Sequence, residues 1–175
     1  MKEQRIVLGG GCFWCVEAVY NNVKGVISAI SGYAGGARAN PSYENVCSGA
    51  TGHAEIVDIK FDSEAITLND ILDIFFVVHN PTTLNQQGAD KGTQYRSVIY
   101  YANEEQQRII EESIKKHQSD FQDTIVTEVS PLLAVYPAES YHQNYYALNS
   151  SQGYCQVVIA PKLQKFMMKF PEHLG

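Results

Sequence analysis

The hydrophobic periodicity of this 175-residue chain predicts an α/β (α+β) fold, a two-layer plait with a mixed sheet, helices on one face, long loops and a C-terminal extension. Three observations predict it. Short apolar strands and amphipathic helices alternate as β-α-β, then β-α-β again. Hydrophobic residues make up 45% of the chain and charged residues 18%, a globular mix whose core needs no disulfides. Two stretches, 33–52 and 81–95, are polar, rich in turn formers and too long for plain connections. No repeat, linker or low-complexity tract divides the chain, so residues 1–175 are read as one domain.

Taken in order, 4–8 reads as a short buried strand, and Gly9-Gly10-Gly11 turns the chain into a helix over 13–23. Val16, Val19, Tyr20 and Val23 form its apolar face. Residues 26–32 and 54–62 read as strands on either side of the first long loop. Thr67 caps the next helix, where Leu68, Ile71, Leu72, Phe75 and Phe76 make the buried stripe. After the second long loop, 96–102 reads as a strand. Asn103 then caps a helix with Gln106 three positions on, acids in its first turn, and Lys115 and Lys116 near its end. A strand over 124–129, a short helix over 139–148, a loop through Gly153-Tyr154-Cys155 and a helical tail from 162 complete the chain. The two β-α-β units make the core ferredoxin-like.

Net charge is 13 − 19 = −6, and no basic cluster exceeds Lys115 with Lys116 or Lys165 with Lys169. Nucleic acid and anionic membrane surfaces are therefore poor partners. The most apolar run, 71–78, is short and holds Asp73, so no membrane span is expected. Residues 1–5 do not open a signal peptide. The chain is expected to be cytoplasmic and monomeric, and its four cysteines to serve catalysis or metal rather than stapling.

The glycines place Cys12 at a helix N-terminus, facing unpaired N–H groups and the positive end of the dipole. That setting predicts a lowered thiol pKa and a nucleophile. Cys12 and Cys15 also form a C-x-x-C pair, open to two readings: a dithiol redox couple or half of a zinc site. No second C-x-x-C or His pair at ligand spacing supports zinc. Phe13 and Trp14 follow at once, and consecutive helical residues cannot share a face, so one must leave the core stripe. An aromatic wall beside a thiolate suits a small apolar group such as a methyl. The loops bring Tyr43, Glu55, Asp90 and Tyr95 as candidates to hydrogen-bond an oxygen, Glu55 as a donor if burial keeps it protonated. Cys155 supplies another thiol. These residues alone do not name the substrate.

Gly11-Cys12-Phe13-Trp14, Gly32-Tyr33-Ala34-Gly35-Gly36, Tyr43-Glu44-Asn45-Val46-Cys47-Ser48-Gly49 and Thr51-Gly52-His53-Ala54-Glu55 resemble the A-type peptide methionine sulfoxide reductases. So do residues 85–97 and 138–145, and the motifs are collinear from about 5 to 170. Small departures, Asn80, Gln86, Val135 and Ser140, avoid the presumed chemistry. The resemblance implies reduction of the S epimer of methionine sulfoxide, free or in proteins. Cys12 would attack the sulfoxide sulfur. Glu55 would act as the acid, and Tyr43 and Tyr95 would hydrogen-bond the oxygen. Phe13 and Trp14 would hold the methyl group, and Asp90 would contact substrate or support the site. The sulfenic acid on Cys12 would condense with Cys155, and thioredoxin or another dithiol would restore the thiols, with Cys15 a further recycling partner. Cys47 is expected to be structural, and no cofactor or metal is implied. A general thiol–disulfide oxidoreductase built on Cys12-x-x-Cys15 is the alternative.

Overall fold

The computed structural model describes residues 2–36, 40–49, 51–88, 90–149 and 151–174. In chain order these form β1 (Glu3–Gly9), α1 (Phe13–Tyr20), β2 (Val26–Ala34), α2 (Tyr43–Cys47), β3 (Ala54–Asp62), α3 (Leu68–Val78), β4 (Gln86–Gln87), β5 (Asp90–Lys91) and β6 (Val98–Tyr101). They continue with α4 (Glu104–Gln118), β7 (Glu128–Pro131), β8 (Val135–Pro137), α5 (Tyr145–Leu148) and α6 (Ala160–Lys169). The main sheet runs β7-β6-β1-β3-β2-β8. Its middle, β6-β1-β3-β2, is antiparallel throughout, and β7 joins β6 in parallel. That middle order is the one expected of two interleaved β-α-β units, so the ferredoxin-like core stands.

Alternation along the strands sorts the core into two layers. Ile6 and Leu8 of β1 and Val57, Ile59 and Phe61 of β3 face the layer where α1, α3, α4 and α6 pack. Val7, Ala54, Ile56 and Val98 face the opposite, smaller cluster. The parity has a consequence for the site. Glu55 lies between Ala54 and Ile56, so it points into the helix layer and is buried among apolar groups.

Caps explain the helix ends. Thr67 and Asp70 form a reciprocal capping box on α3. Asn103 caps α4 through the Gln106 N–H at 2.9 Å. The Gln106 side chain instead accepts from Ala102 N–H at 2.8 Å and donates to the Arg5 carbonyl at 3.0 Å, strapping α4 to β1.

Several expectations shift. α1 ends at Tyr20 rather than 23, because the Asn22 side chain donates to the Ala18 carbonyl at 2.8 Å and Val23 pairs with Leu174. The first long loop contains α2, capped by Ser42. The second contains the β4–β5 hairpin. The strand expected over 124–129 forms four residues later as β7, since Ile125 N–H is held by the Gln118 side chain and Val126 N–H by the Pro81 carbonyl, both at 2.8 Å. The helix expected over 139–148 is a 3₁₀ turn followed by α5, split at Asn144, whose φ of 54° no helix continues through. Cys155 is not in a loop. It starts a π-helical turn, Cys155–Ile159, that runs into α6, and Cys155, Ile159, Leu163 and Phe166 share one buried face. β8 had no sequence counterpart.

Candidate active site

The site is assembled at the junction of β1, α1 and β3. β1 ends at Gly9, and Gly11 turns the backbone with φ +94°, where a Cβ would collide with the Gln87 side chain at 2.6 Å. This turn delivers Cys12 as the N-cap of α1. Directly beneath, Glu55 Oε1 accepts the Phe13 N–H at 3.2 Å, one of the donors a helix start leaves unpaired. Glu55 Oε2 is buried with no partner among the described residues. Burial pushes the Glu55 carboxyl up to about 8, against the pull of the Phe13 N–H. At neutral pH it is a protonated acid with one oxygen free to donate.

Cys12 does not behave as its position on the helix predicts. Its thiol is pushed well up, first by burial, then by the hydrogen bond it shares with Cys15 and by the Glu55 charge. The Trp14 N–H facing it only partly offsets these. The dipole is present, but desolvation outweighs it at a residue only 7% exposed. Cys15, also buried, is pulled down by the hydrogen bond with Cys12 and further by the Lys162 ammonium.

The aromatic wall is present. Phe13 is buried and Trp14 half-buried, as their adjacency requires. Phe13 lies 5.7 Å from Tyr33, 6.4 Å from Tyr43 and 5.2 Å from His142 between ring centres. Trp14 stacks on Tyr145 at 3.7 Å and meets Tyr154 edge-on. Tyr43 at the start of α2 is fixed from behind: its N–H donates to Glu139 Oε2 at 3.1 Å, while Tyr33 donates to Oε1 at 2.9 Å. Burial raises both the Tyr43 and Tyr95 hydroxyls, and the Glu55 charge acts on each, so both tyrosines lie within electrostatic reach of the carboxyl. Asp90, on β5, accepts from the Tyr154 hydroxyl at 3.0 Å.

Three residues at the site were not singled out beforehand. Tyr154 lies within hydrogen-bonding reach of both Cys12 and Cys15 as well as Asp90. Glu139 anchors Tyr43. His142 accepts from Trp14 Nε1 at 3.1 Å through Nδ1, so its proton sits on Nε2, which is buried without a partner. His142 and Glu139 fall inside the 138–145 motif, which marks them without assigning either a role. Cys47, expected to be structural, is exposed at the end of α2 and shares a hydrogen bond with Tyr43. All four cysteines are free thiols.

Among the described residues, no group of three His, Cys, Asp or Glu side chains converges to hold a metal, and no helix is long and apolar enough to cross a membrane. A large cleft of about 760 Å³ lies between α3 and α6, lined by His79, Asn80, Gln87, Lys162, Lys165 and Lys169 among others. It contains none of the predicted site residues.

The family model for peptide methionine sulfoxide reductase matches residues 4–174. The chain is 58% identical over 169 residues to the peptide methionine sulfoxide reductase MsrA of Polynucleobacter asymbioticus, an alignment that covers 95% of this chain and 89% of that one. Reduced Mxr1 from Saccharomyces cerevisiae superimposes with a TM-score of 0.82 at 33% identity, covering 88% of this chain and 90% of its own. Mxr1 in complex with Trx2 shares the fold at a TM-score of 0.57 and 23% identity, covering 82% and 85%.

Proposed function

This chain belongs to the peptide methionine sulfoxide reductase family, and we propose that its closed aromatic site reduces the S epimer of methionine sulfoxide, free or in oxidised proteins, through Cys12. The observation that carries this is the pairing of a helix-capping thiol with a buried carboxyl whose Oε2 has no partner. Cys12 attacks the sulfoxide sulfur while Glu55 gives its proton to the sulfoxide oxygen, which then shifts to the Cys12 sulfur as the bond between the two sulfurs breaks. Tyr43 and Tyr95 steady that oxygen by hydrogen bonds, which cost no reorganisation because Glu139 already holds Tyr43 in place. The products are methionine and a sulfenic acid on Cys12.

A raised Cys12 pKa fits this scheme. With Glu55 protonated the carboxylate charge is absent, and that removes one of the influences holding the thiol up. Phe13 and Trp14 take the methyl group and so decide which epimer presents its oxygen to Glu55. Asp90 and Tyr154 support the same wall. Cys155 takes the oxidation on into a disulfide, and thioredoxin or another dithiol restores the thiols, as the family resemblance implies. Residues 1–175 act as one catalytic domain, and a reducing compartment such as the cytoplasm suits four free thiols.

The test is chiral. Purified protein with dithiothreitol should consume methionine S-sulfoxide and leave the R epimer, and Cys12→Ser should consume neither. Turnover of the R epimer, or undiminished turnover by Cys12→Ser, overturns the reading.

A further inference from the structure

The large cleft between α3 and α6 lies apart from the aromatic site, and one of its edges is uniformly cationic. We propose that this cleft binds linked phosphates, a di- or triphosphate group held along α6 by Lys162, Lys165 and Lys169. The proposal goes beyond the sulfoxide reductase reading and does not rest on it.

Helical spacing brings the lysines together. Positions 162, 165 and 169 fall on one face of α6, spread over about 10 Å of its axis. Three of the chain's nine lysines thus line one cleft in a protein of net charge −6. Among the described residues none of the three ammonium groups has a hydrogen bond or an ion pair, whereas Lys116 on α4 lies 3.3 Å from Asp73. The one carboxylate on the cleft wall, Asp120, has an oxygen 3.1 Å from His117 Nδ1. Lys162 is half-buried, lines a second, small apolar pocket against Cys15, and its ammonium acts on both Cys15 and His79. It is therefore turned inward rather than spread into solvent. Cations gathered without counter-charges repel one another, and an anion between them relieves that repulsion.

The wall beyond α3 adds a fixed donor. Asn80, one of the small departures from the family motifs, lines the cleft. Its side-chain oxygen accepts both the Thr82 N–H at 3.0 Å and the Thr82 hydroxyl at 2.6 Å, which sets the orientation of the amide and leaves Nδ2 as a donor without a protein acceptor. Gln87 holds the Asn80 backbone in place, accepting its N–H at 3.0 Å and donating to its carbonyl at 2.9 Å.

Size and chemistry select the ligand class. A volume of about 760 Å³ suits a small molecule, whereas docked proteins use broader and flatter surfaces. A lone phosphate is too small to bridge all three lysines; linked phosphates reach each of them and accept charge-assisted hydrogen bonds along the row. Half-buried Phe121 and exposed Pro161 give the same cleft an apolar shoulder, a surface for a nucleobase. The phosphate chain is common to inorganic polyphosphate and nucleoside triphosphates, and the shoulder is what would tell them apart.

The experiment titrates the full reduced chain, with no sulfoxide present, with inorganic tripolyphosphate, ATP and a hexaglutamate peptide, read by calorimetry and by phosphorus NMR line broadening. Tripolyphosphate should bind once per chain with a dissociation constant below about 1 mM. Lys165→Gln combined with Lys169→Gln should weaken it at least about tenfold. Asn80→Asp keeps the shape of the wall but adds a negative charge, and should weaken it at least about threefold. Lys60→Gln combined with Lys115→Gln removes as much charge away from the cleft and should leave the affinity unchanged. Equal affinity for ATP upholds the site as a reader of the phosphate chain alone. Tighter binding of ATP that falls to the tripolyphosphate level in Phe121→Leu upholds it as a nucleotide site. Absence of saturable binding, equal weakening in the Lys60 and Lys115 control, or tighter binding of hexaglutamate than of tripolyphosphate overturns the proposal. Turnover is no part of this readout, so failure here leaves the reductase reading intact, and failure of that reading shows only in the chiral assay.

Discussion

Two buried polar regions of this molecule differ in how completely they are satisfied. At the far end of α3, His79 is buried with both ring nitrogens engaged: Nδ1 donates to the Phe75 carbonyl, and Nε2 accepts from the Ser97 hydroxyl at 2.8 Å. Thr127 donates to Ser97 in turn at 2.8 Å. At the start of α1, Glu55 Oε2 and His142 Nε2 are equally buried and have no partner. The first region is neutral structure; burial drives the His79 imidazole down to about 3, and it stays uncharged. The second leaves two buried donors unpaired, the His142 ring among Phe13, Trp14 and Tyr43 and the Glu55 carboxyl under the Phe13 N–H. The remaining orphan among the described residues, Ser113 Oγ, is a lone hydroxyl on α4 with no such company.

The difference can be attacked directly. The largest effect is expected from Cys12→Ser, which should lower turnover of methionine S-sulfoxide below about one thousandth of wild type with the melting temperature nearly unchanged. Glu55→Gln should cost about 10² to 10⁴ in turnover, measured by steady-state assay with dithiothreitol. The wild-type rate should fall as pH rises through about 8, the pKa of Glu55, and the variant should lose that descending limb.

Stability should show opposite slopes at the two regions. Glu55 titrates at about 8 when folded against an ordinary 4.5, so its contribution is full below 4.5 and is lost as pH rises toward 8. His79 titrates at about 3 against an ordinary 6.5, so its contribution is full above 6.5 and is lost as pH falls toward 3. Denaturant midpoints across pH 4 to 9 should therefore flatten on the alkaline side in Glu55→Gln and on the acid side in His79→Leu. His79→Leu should also lose about 2–4 kcal/mol, because it strands the Phe75 carbonyl and the Ser97 hydroxyl, while KM stays at the wild-type value. His142→Phe is the mildest: kcat/KM should fall about tenfold with little change in stability, since an orphan donor is removed as Trp14 loses its acceptor. If His142→Phe instead destabilises as His79→Leu does, the contrast between the regions is wrong.

Much of this was legible in the chain. Period-2 and period-3.6 patterns mark β1, β3, α3 and α4 because each buries one face, and Thr67 and Asn103 cap because their side chains accept from backbone N–H groups three residues on. β8 and the displaced β7 were not legible. β8 is three residues long and half-buried, and β7 is positioned by long-range bonds from Gln118 and Pro81 to residues ahead of it. At the site, Cys12, Phe13 and Trp14 could be read from the glycine turn and the helix start, because a local geometry places them. The roles of Tyr154, Glu139 and His142 could not, because their partners lie far along the chain: Tyr154 meets Asp90, Glu139 meets Tyr33 and Tyr43, and His142 meets Trp14.

By itself the sequence determined the order of elements, the position of a thiol at a helix cap and the family motifs around it. These depend on periodicity, caps and turns, which act between residues close in the chain. Only the tertiary structure decided the electrostatics and the setting of the thiols: a Cys12 thiol raised rather than lowered, a Glu55 carboxyl held protonated, and Cys155 locked in a π-helical turn. Desolvation is the reason. It is set by what every other element packs around a group, and in this site it outweighs the helix dipole that the local sequence provides.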